Sequence, residues 1–513
     1  MWGLPTDVNP KFPVAEFAER RPWAAGSVFF LIGAATMLSF APFGLFLLAL
    51  VCVIPLLYAF RYCAPKIAAR IGFAWGAGLF LVGTYWLYVS IHVFGEAPLI
   101  LAILLMIGLV IIMGLYYAAA GWIIATLRDD SQWHFIALVS TVWVFLEWLR
   151  GWFLSGFPWM TLGYNQIDTS LAGFAPLLGI FGVSLMLMLS ASAALAAAES
   201  TGRTRIAMTV ITLLPWLAGA ALKPVDWTTE TGRSVTTTIV QGGVSQDLKW
   251  EREQFGKTLE LYRTSLLEHS DSDLVLWPEV AIPAVLDQVE NYVMQLQSDV
   301  AVGNSTLLFG VLERDAQRSR VFNSVVAIGG GTRQFYRKRH LVPFGEYFPV
   351  PDFVREWMRL MNLPYSDISS GEEHQELITL PDGNRLAVAI CYEDAYAAEQ
   401  LYALSDANIL INVSNDAWFG DSIAPHQHLE IARMRALEAG RHVVRATNNG
   451  ISAFIGPDGG IIESGPQFDY FAMTREVMPR TGTTPYAAVG NWPVVLFSSL
   501  IPAWLACRRR TLA

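Results

Sequence analysis

The chain has 513 residues, of which 53% are hydrophobic and only 15% charged, against about a quarter charged in an average soluble domain. That composition excludes a wholly aqueous protein and places much of the chain in lipid. The net charge of −9 comes without any long basic run, so nothing points to nucleic acid as a partner.

A helix needs about 20 mostly apolar residues to cross the hydrocarbon layer. Apolar runs of that order lie at 23–40, 43–60, 71–91, 99–127, 133–149, 171–198, 206–222 and 491–507, which predicts a multi-pass α-helical membrane bundle of about eight helices. Cations ahead of the first run give it the outline of a signal peptide. No small-residue cleavage site precedes the second run, so the first is read as an uncleaved helix.

Lys and Arg near the spans set the orientation. Lys11, Arg20 and Arg21 precede the first run, Arg61, Lys66 and Arg70 separate the second and third, and Arg128 follows the fourth. Arg203 and Arg205 separate the sixth and seventh, and Arg508, Arg509 and Arg510 follow the eighth. The opposite connections, near Ala41-Pro42, 92–98 and 150–170, hold only Arg150, with Lys223 just past the seventh run. Both termini are therefore expected in the cytoplasm, and seven crossings carry the following segment outside it.

From 223 to 490 charges become frequent and apolar runs shrink to strand length, over a stretch long enough to bury its own core. The expected organisation is a membrane domain over 1–222, an external domain over 223–490, and a closing helix with a basic tail over 491–513. Of the four cysteines, Cys52, Cys63, Cys391 and Cys507, only Cys391 falls in the external domain. An oxidising compartment offers it no disulfide partner within the chain.

Within that domain Ser234 to Gly242, Asp273 to Ile282, Thr306 to Glu313, Val321 to Ile328, Leu386 to Cys391, Ile409 to Val413 and Ser452 to Ile455 read as strands. Residues 247–268 read as a helix, with Leu248, Phe255, Leu259 and Leu266 on one face. Several strands are apolar nearly throughout, which indicates sheets covered on both faces, an α/β arrangement. Three segments place reactive groups at strand ends. Leu274-Val275-Leu276-Trp277-Pro278-Glu279 stops a buried strand at a proline and delivers a carboxylate. Lys338-Arg339-His340-Leu341-Val342-Pro343-Phe344-Gly345-Glu346 supplies an amine, and Val388-Ala389-Ile390-Cys391-Tyr392-Glu393 ends an apolar strand in the lone thiol. Singly these are ordinary residues: a surface or capping carboxylate, one of three adjacent cations, a small buried hydrophobe.

Together the segments resemble the nitrilase, or carbon–nitrogen hydrolase, superfamily, whose motifs end in a Glu, a Lys and a Cys. The layout over nearly the full length resembles the apolipoprotein N-acyltransferase family. The likeness extends to Ile411-Asn412-Val413-Ser414-Asn415-Asp416-Ala417-Trp418-Phe419-Gly420, Arg433-Met434-Arg435-Ala436-Leu437-Glu438, Thr447-Asn448-Asn449-Gly450-Ile451, Leu149-Arg150-Gly151-Trp152 and Gly156-Phe157-Pro158-Trp159. One departure is Gln241-Gly242-Gly243, where the family favours Asn or Asp in third place.

The resemblance implies a nitrilase-like α-β-β-α sandwich beside the membrane bundle, with Cys391 as nucleophile, Glu279 as base and Lys338 as oxyanion stabiliser. An Arg would give charge without shuttling a proton, which favours Lys338 over its Arg neighbours. Glu346 and Glu393 are expected to orient Lys338 or the thiol, and Tyr392 to wall the pocket. Trp250, Trp418, Phe157 and Trp159 are expected substrate contacts, the last two on an apolar external loop at the membrane interface. Glu147, near the end of the fifth run, is a functional candidate paired with Arg150. Asn415, Asp416, His426 and His428 show no recognised zinc spacing, and the implied chemistry needs no metal and no cofactor.

The implied reaction moves an acyl chain from a phospholipid, typically phosphatidylethanolamine, through a Cys391 thioester to the amino terminus of a diacylglyceryl-cysteine lipoprotein at the bacterial inner membrane. The domain would then be periplasmic. Two rivals stand beside it: a membrane-bound amidase or nitrilase that passes the acyl group to water, and a transporter or binding protein whose domain has lost catalysis.

Overall fold

The computed structural model describes residues 13–512 except 304, 316, 318, 319, 344 and 348–367. Lys11 and Phe344 lie outside the described residues. The chain divides into two units. One comprises the described parts of Met1–Tyr88, Ala97–Val225 and Val489–Ala513, and the other comprises Val89–Glu96 and Asp226–Ala488.

The first unit is helical: α1 (Pro13–Arg20), α2 (Pro22–Thr36), α3 (Leu47–Tyr62), α4 (Pro65–Gly83), α5 (Leu99–Leu127), α6 (Gln132–Arg150), α7 (Ala175–Glu199), α8 (Gly202–Leu222) and a closing helix Trp492–Leu512. Prolines open α2 and α4, where the first turn needs no N–H. A helix stands at each of the eight predicted runs, preceded by the short α1, whose Ala15 and Ala18 are buried. By length and composition five segments among the described residues suffice to cross a membrane: Pro22–Ser39, Pro65–Gly83, Leu99–Leu127, Ser170–Glu199 and Gly202–Leu222. Leu47–Tyr62 and Trp492–Arg508 are shorter apolar helices. A Cβ at Gly33 would overlap the Trp75 backbone and one at Gly78 the Phe30 backbone, so α2 and α4 meet through glycines at backbone distance.

Late in α6, Glu147 and Arg150 are both buried, but no ion pair joins them among the described residues. Each instead grips the loop that follows. Arg150 donates to the carbonyls of Phe157 at 2.6 Å and Trp159 at 2.5 Å and to Thr161 Oγ1 at 3.1 Å, while Glu147 Oε1 accepts from Leu162 N at 3.0 Å. These bonds satisfy loop carbonyls and an amide that lipid could not.

In the second unit two sheets pack face to face. One runs, in spatial order, Phe471–Val477, Val235–Gln241, Leu274–Leu276, Thr306–Asp315, Arg320–Gly329 and Thr332–Arg337, with Ile282–Val285 also paired to Thr306–Asp315. The other runs Ile461–Ser464, Ala453–Ile455, Val443–Thr447, Ile409–Ser414, Arg385–Ile390 and Ile378–Thr379. Period-two alternation builds the layers. Leu274 and Leu276 enter the core between the sheets with Val388, Ile390, Ile411 and Val413, whereas Val275 points the other way, to Tyr262, Leu266, Val293 and Leu296 of the helices Arg252–Glu268 and Glu290–Gly303. On the far side Ala387, Leu410 and Val443 meet Leu404, Leu429, Ala432 and Ala436 of the helices Ala397–Leu404 and Ala424–Ala439. The result is an α-β-β-α sandwich, the fold class the sequence motifs imply.

The expected strand from Asp273 to Ile282 is broken in two, because Pro278 has no N–H for the ladder and Val280 turns to φ 46°. The expected helix over 247–268 begins at Arg252, after a turn that buries Lys249. The helix Ala424–Ala439 carries no apolar stripe because Gln427, His428, Glu430, Arg435 and Glu438 are buried alongside its aliphatic residues.

Candidate active site

Three of the sequence motifs converge at one end of the strands. Gly310 makes room for the first: its amide donates to the Pro278 carbonyl at 3.2 Å, and a Cβ there would collide with the backbone of Pro278, Glu279 and Val280. Glu279 is held at 6% exposure on three donors. Its Oε1 accepts from Asn323 Nδ2 at 2.7 Å and Lys338 Nζ at 3.3 Å, and its Oε2 from the Asn415 amide at 2.9 Å. Lys338 follows the strand Thr332–Arg337 and is fixed by its amide to the Asn323 carbonyl at 2.8 Å. Its ammonium also reaches Glu346 Oε1 at 2.9 Å, and Glu346 Oε2 accepts from the Val342 amide at 2.8 Å. Burial disfavours the Lys338 charge, but Glu279 and Glu346 overrule it and hold its pKa well above the usual lysine value.

Cys391 ends the strand Arg385–Ile390 and starts a 3₁₀ turn, Cys391–Ala395, with φ 53°. A left-handed residue that is not glycine costs on the order of 1–3 kcal/mol and is sustained by its surroundings. Burial, then the Glu279 carboxylate, pushes the thiol well up; Lys338 and a hydrogen bond with Ser414 pull the other way. Burial and Glu279 thus disfavour the thiolate, which suits activation by removal of the thiol proton as a bond forms.

The neighbouring acids divide. Glu346 contacts Lys338 directly. Glu393 contacts neither Lys338 nor the thiol through a hydrogen bond but grips backbone on both sides, accepting from Arg339 N at 2.6 Å, His340 N at 3.2 Å and Ile390 N at 2.6 Å, and from Tyr336 Oη at 3.1 Å. Burial raises its pKa despite those donors. Tyr392 is half-buried, accepts from Tyr396 Oη at 2.9 Å and lies 5.8 Å from the His340 ring. Trp418 is exposed, its carbonyl taken by Ser90 Oγ at 2.8 Å. Trp250 is exposed beside Lys249, whose buried ammonium reaches the Glu279 carbonyl at 3.2 Å and is lowered by burial to about 8, against the pull of Glu279. Phe157 and Trp159 belong to the first unit, where Trp159 is fully buried against Trp86 and Phe157 is half-buried.

Behind the nucleophile lies a buried charged cluster. His428 Nδ1 meets Asp416 Oδ1 at 2.9 Å, and its Nε2 meets Asp394 Oδ1 at 3.0 Å and the Cys391 carbonyl at 3.2 Å. Arg445 closes it, 2.9 Å from Asp416 Oδ2 and 3.5 Å from Asp394 Oδ2. Burial works against a charged His428, but Asp394 and Asp416 lift it to about 9, while Arg445 and His428 hold Asp416 below the usual carboxylate range against burial. Cys391, Asp416 and His428 place donor atoms within 4.8 Å of one another. Both imidazole nitrogens already face carboxylates and a guanidinium supplies the counter-charge, so the set does not fit a metal. His426 stays half-buried outside the cluster.

Of Asn323, Asn415 and Arg445, sequence reasoning passed over the first and last and weighed Asn415 only as a metal ligand. A signal existed for two of them, since Asn323 interrupts the apolar run Val321 to Ile328 and Arg445 sits within the wholly buried strand Val443–Thr447.

Family models match the chain in two places: the apolipoprotein N-acyltransferase N-terminal domain over residues 32–193 and carbon–nitrogen hydrolase over 236–477. The apolipoprotein N-acyltransferase of Nitrosomonas europaea is 39% identical over 90% of this chain and 93% of its own. That of Azotobacter vinelandii is 39% identical over 96% of each, and that of Pseudomonas aeruginosa 36% identical over 96% and 97%.

Proposed function

Since the chain belongs to the apolipoprotein N-acyltransferase family, we propose that it carries an acyl chain from a phospholipid to the amino terminus of a diacylglyceryl-cysteine lipoprotein by way of a Cys391 thioester. The observation that supports this is the contact of Glu279 and Lys338 at 3.3 Å, with both charges felt by the Cys391 thiol. As sulfur attacks the ester carbonyl, Glu279 takes its proton, and the oxyanion draws on Lys338 and backbone donors near Tyr392. Collapse expels the lysophospholipid alkoxide, which leaves with the proton held by Glu279. The lipoprotein amine then attacks the thioester, Glu279 takes its proton, and the proton passes to the departing Cys391 sulfur. Acid, base and nucleophile are all restored.

The site operates with Lys338 charged and Cys391 neutral at rest, so Glu279 must be a carboxylate to begin the cycle. Glu346 keeps a second negative charge on Lys338 when Glu279 is protonated, which holds the ammonium in place through the step. Trp250 and Trp418, both exposed, contribute contacts to the lipid substrates, and phosphatidylethanolamine is the donor. The protein resides in the bacterial inner membrane with both termini cytoplasmic and the catalytic domain periplasmic, as the distribution of Lys and Arg about the spans favours.

The test is acylation without acceptor. Purified protein given phosphatidylethanolamine alone should release about one equivalent of lysophospholipid per site and stop, because a site that excludes water accumulates its covalent intermediate. Mass spectrometry should find the chain on Cys391, a diacylglyceryl-cysteine peptide with a free amine should discharge it, and Cys391→Ala should give none. Continuous release of free fatty acid without acceptor would establish the hydrolase instead.

A further inference from the structure

The cluster behind Cys391 is more than filler, because its hydrogen bonds are directional. Carboxylates only accept, and each nitrogen of His428 faces one: Asp416 at Nδ1 and Asp394 at Nε2. A neutral imidazole would turn a lone pair toward one of them. With both nitrogens protonated, His428 and Arg445 balance Asp394 and Asp416, so four charged side chains, each no more than 3% exposed, sum to zero. They come from four segments: the turn after the nucleophile, the turn Asp416–Phe419, the helix Ala424–Ala439 and the strand Val443–Thr447. From His428 a bond leads out to the nucleophile, from Nε2 to the Cys391 carbonyl at 3.2 Å, on a residue already in the left-handed region.

We propose that His428, clamped between Asp394 and Asp416 and balanced by Arg445, is a positioning residue for Cys391: its Nε2–H tethers the Cys391 carbonyl and so fixes where the thiol and the amides after it face. The role rests on Cys391 being the nucleophile, but the tether itself is a property of the Cys391 peptide. A rotation of that peptide turns the sulfur away from Glu279 and the following N–H groups away from the developing oxyanion, and a misplacement of about 1 Å costs on the order of 10²-fold in rate. Burial and Arg445 disfavour the imidazolium, but Asp394 and Asp416 outweigh them and lift its pKa to about 9. Loss of its proton leaves the cluster with net negative charge, so positioning is intact below that pH and fails as pH rises through it.

Two variants separate tether from bulk. In H428Q the side-chain amide reaches the Nε2 position and still donates toward Cys391; in H428N it reaches only the Nδ1 position, toward Asp416. Measured on full-length protein in detergent, H428N should lower the rate of Cys391 acylation by phosphatidylethanolamine on the order of 10²-fold. H428Q should keep it within about 10-fold of wild type and lose the alkaline fall that wild type shows around pH 9. Alkylation of Cys391 by iodoacetamide, which needs no phospholipid, should rank the variants in the same order. Equal loss in both, or in neither, overturns the proposal. If wild type is alkylated as expected but never acylated, the acyltransfer reading fails while the tether stands. Should neither variant fold, wild type decides: an acylation rate that stays flat or climbs from about pH 8 to about pH 10 overturns it.

Discussion

Replacing Lys338 with Met tests the charge logic of the site in a way activity alone cannot. The wild-type arrangement holds one ammonium between two carboxylates, 3.3 Å from Glu279 and 2.9 Å from Glu346, with the two acids also sharing Asn323 Nδ2 at 2.7 and 3.1 Å. The net charge of this trio is −1. Met keeps the volume and removes the cation, leaving −2 around one neutral amide, with the Glu279 and Glu346 side chains only 8% and 17% exposed. Removing one partner of a buried ion pair costs about 3–5 kcal/mol. At roughly 2–4 °C per kcal/mol for a domain of this size, the variant should unfold roughly 6–20 °C lower.

The sign of the pH dependence follows. Deprived of its cation, the carboxylate pair shares a proton more readily in the fold than in the unfolded chain. A folded-state pKa raised in this way adds stability below the unfolded value and loses it as pH rises. The gap between variant and wild type should therefore narrow at about pH 5 and widen at about pH 8.5, measured by thermal unfolding in detergent. Equal unfolding temperatures at the higher pH, or a gap that does not narrow at the lower, would refute the ion-pair account. Glu279→Gln provides the contrast: Lys338 keeps Glu346, so the stability loss should be only about 1–3 kcal/mol, while acylation of Cys391 falls on the order of 10²–10⁴-fold for want of a base.

Glu393→Ala should destabilise by several kcal/mol, because it orphans the buried amides of Arg339 and Ile390 and the hydroxyl of Tyr336. Glu393→Gln should recover much of that loss, and burial already favours its protonated form; thermal melts of the two variants check the order. A reporter fused after Lys223 should read as periplasmic and one fused after Arg510 as cytoplasmic, and the reverse result would sink the assigned topology.

The helices were legible because lipid leaves a one-dimensional mark, an unbroken apolar run. The three motif segments were legible because each reactive group follows a buried strand directly in sequence. What stayed hidden is what binds those strand ends together. Asn415 reaches Glu279 through its backbone amide, which no side-chain pattern can advertise. His428, Asp394 and Arg445 are separated by at least 17 residues in the chain and form a unit only once both the helix Ala424–Ala439 and the strand Val443–Thr447 are in place. Glu393, read as a companion of Lys338 or the thiol, turned out to brace backbone instead, since its position one turn past the strand aims it back along the chain. Glu147, expected to pair with Arg150 because an ionisable group near lipid calls for a partner, instead binds loop backbone, as Arg150 does.

The segment Val89–Glu96 lies in sequence between two helices of the first unit, yet it belongs to the second, where Ser90 holds the Trp418 carbonyl and Val89 lies under Gly420. The sandwich is thus completed by a piece of chain borrowed from at least 130 positions upstream of its own first residue. A fragment cut at the obvious boundaries would reproduce both sheets and every titratable group around Cys391 while lacking the brace on the turn that carries Trp418. Conversely, an insertion or tag placed between α4 and α5, which on a topology diagram looks like an innocuous surface connection, would act on the turn that carries Trp418.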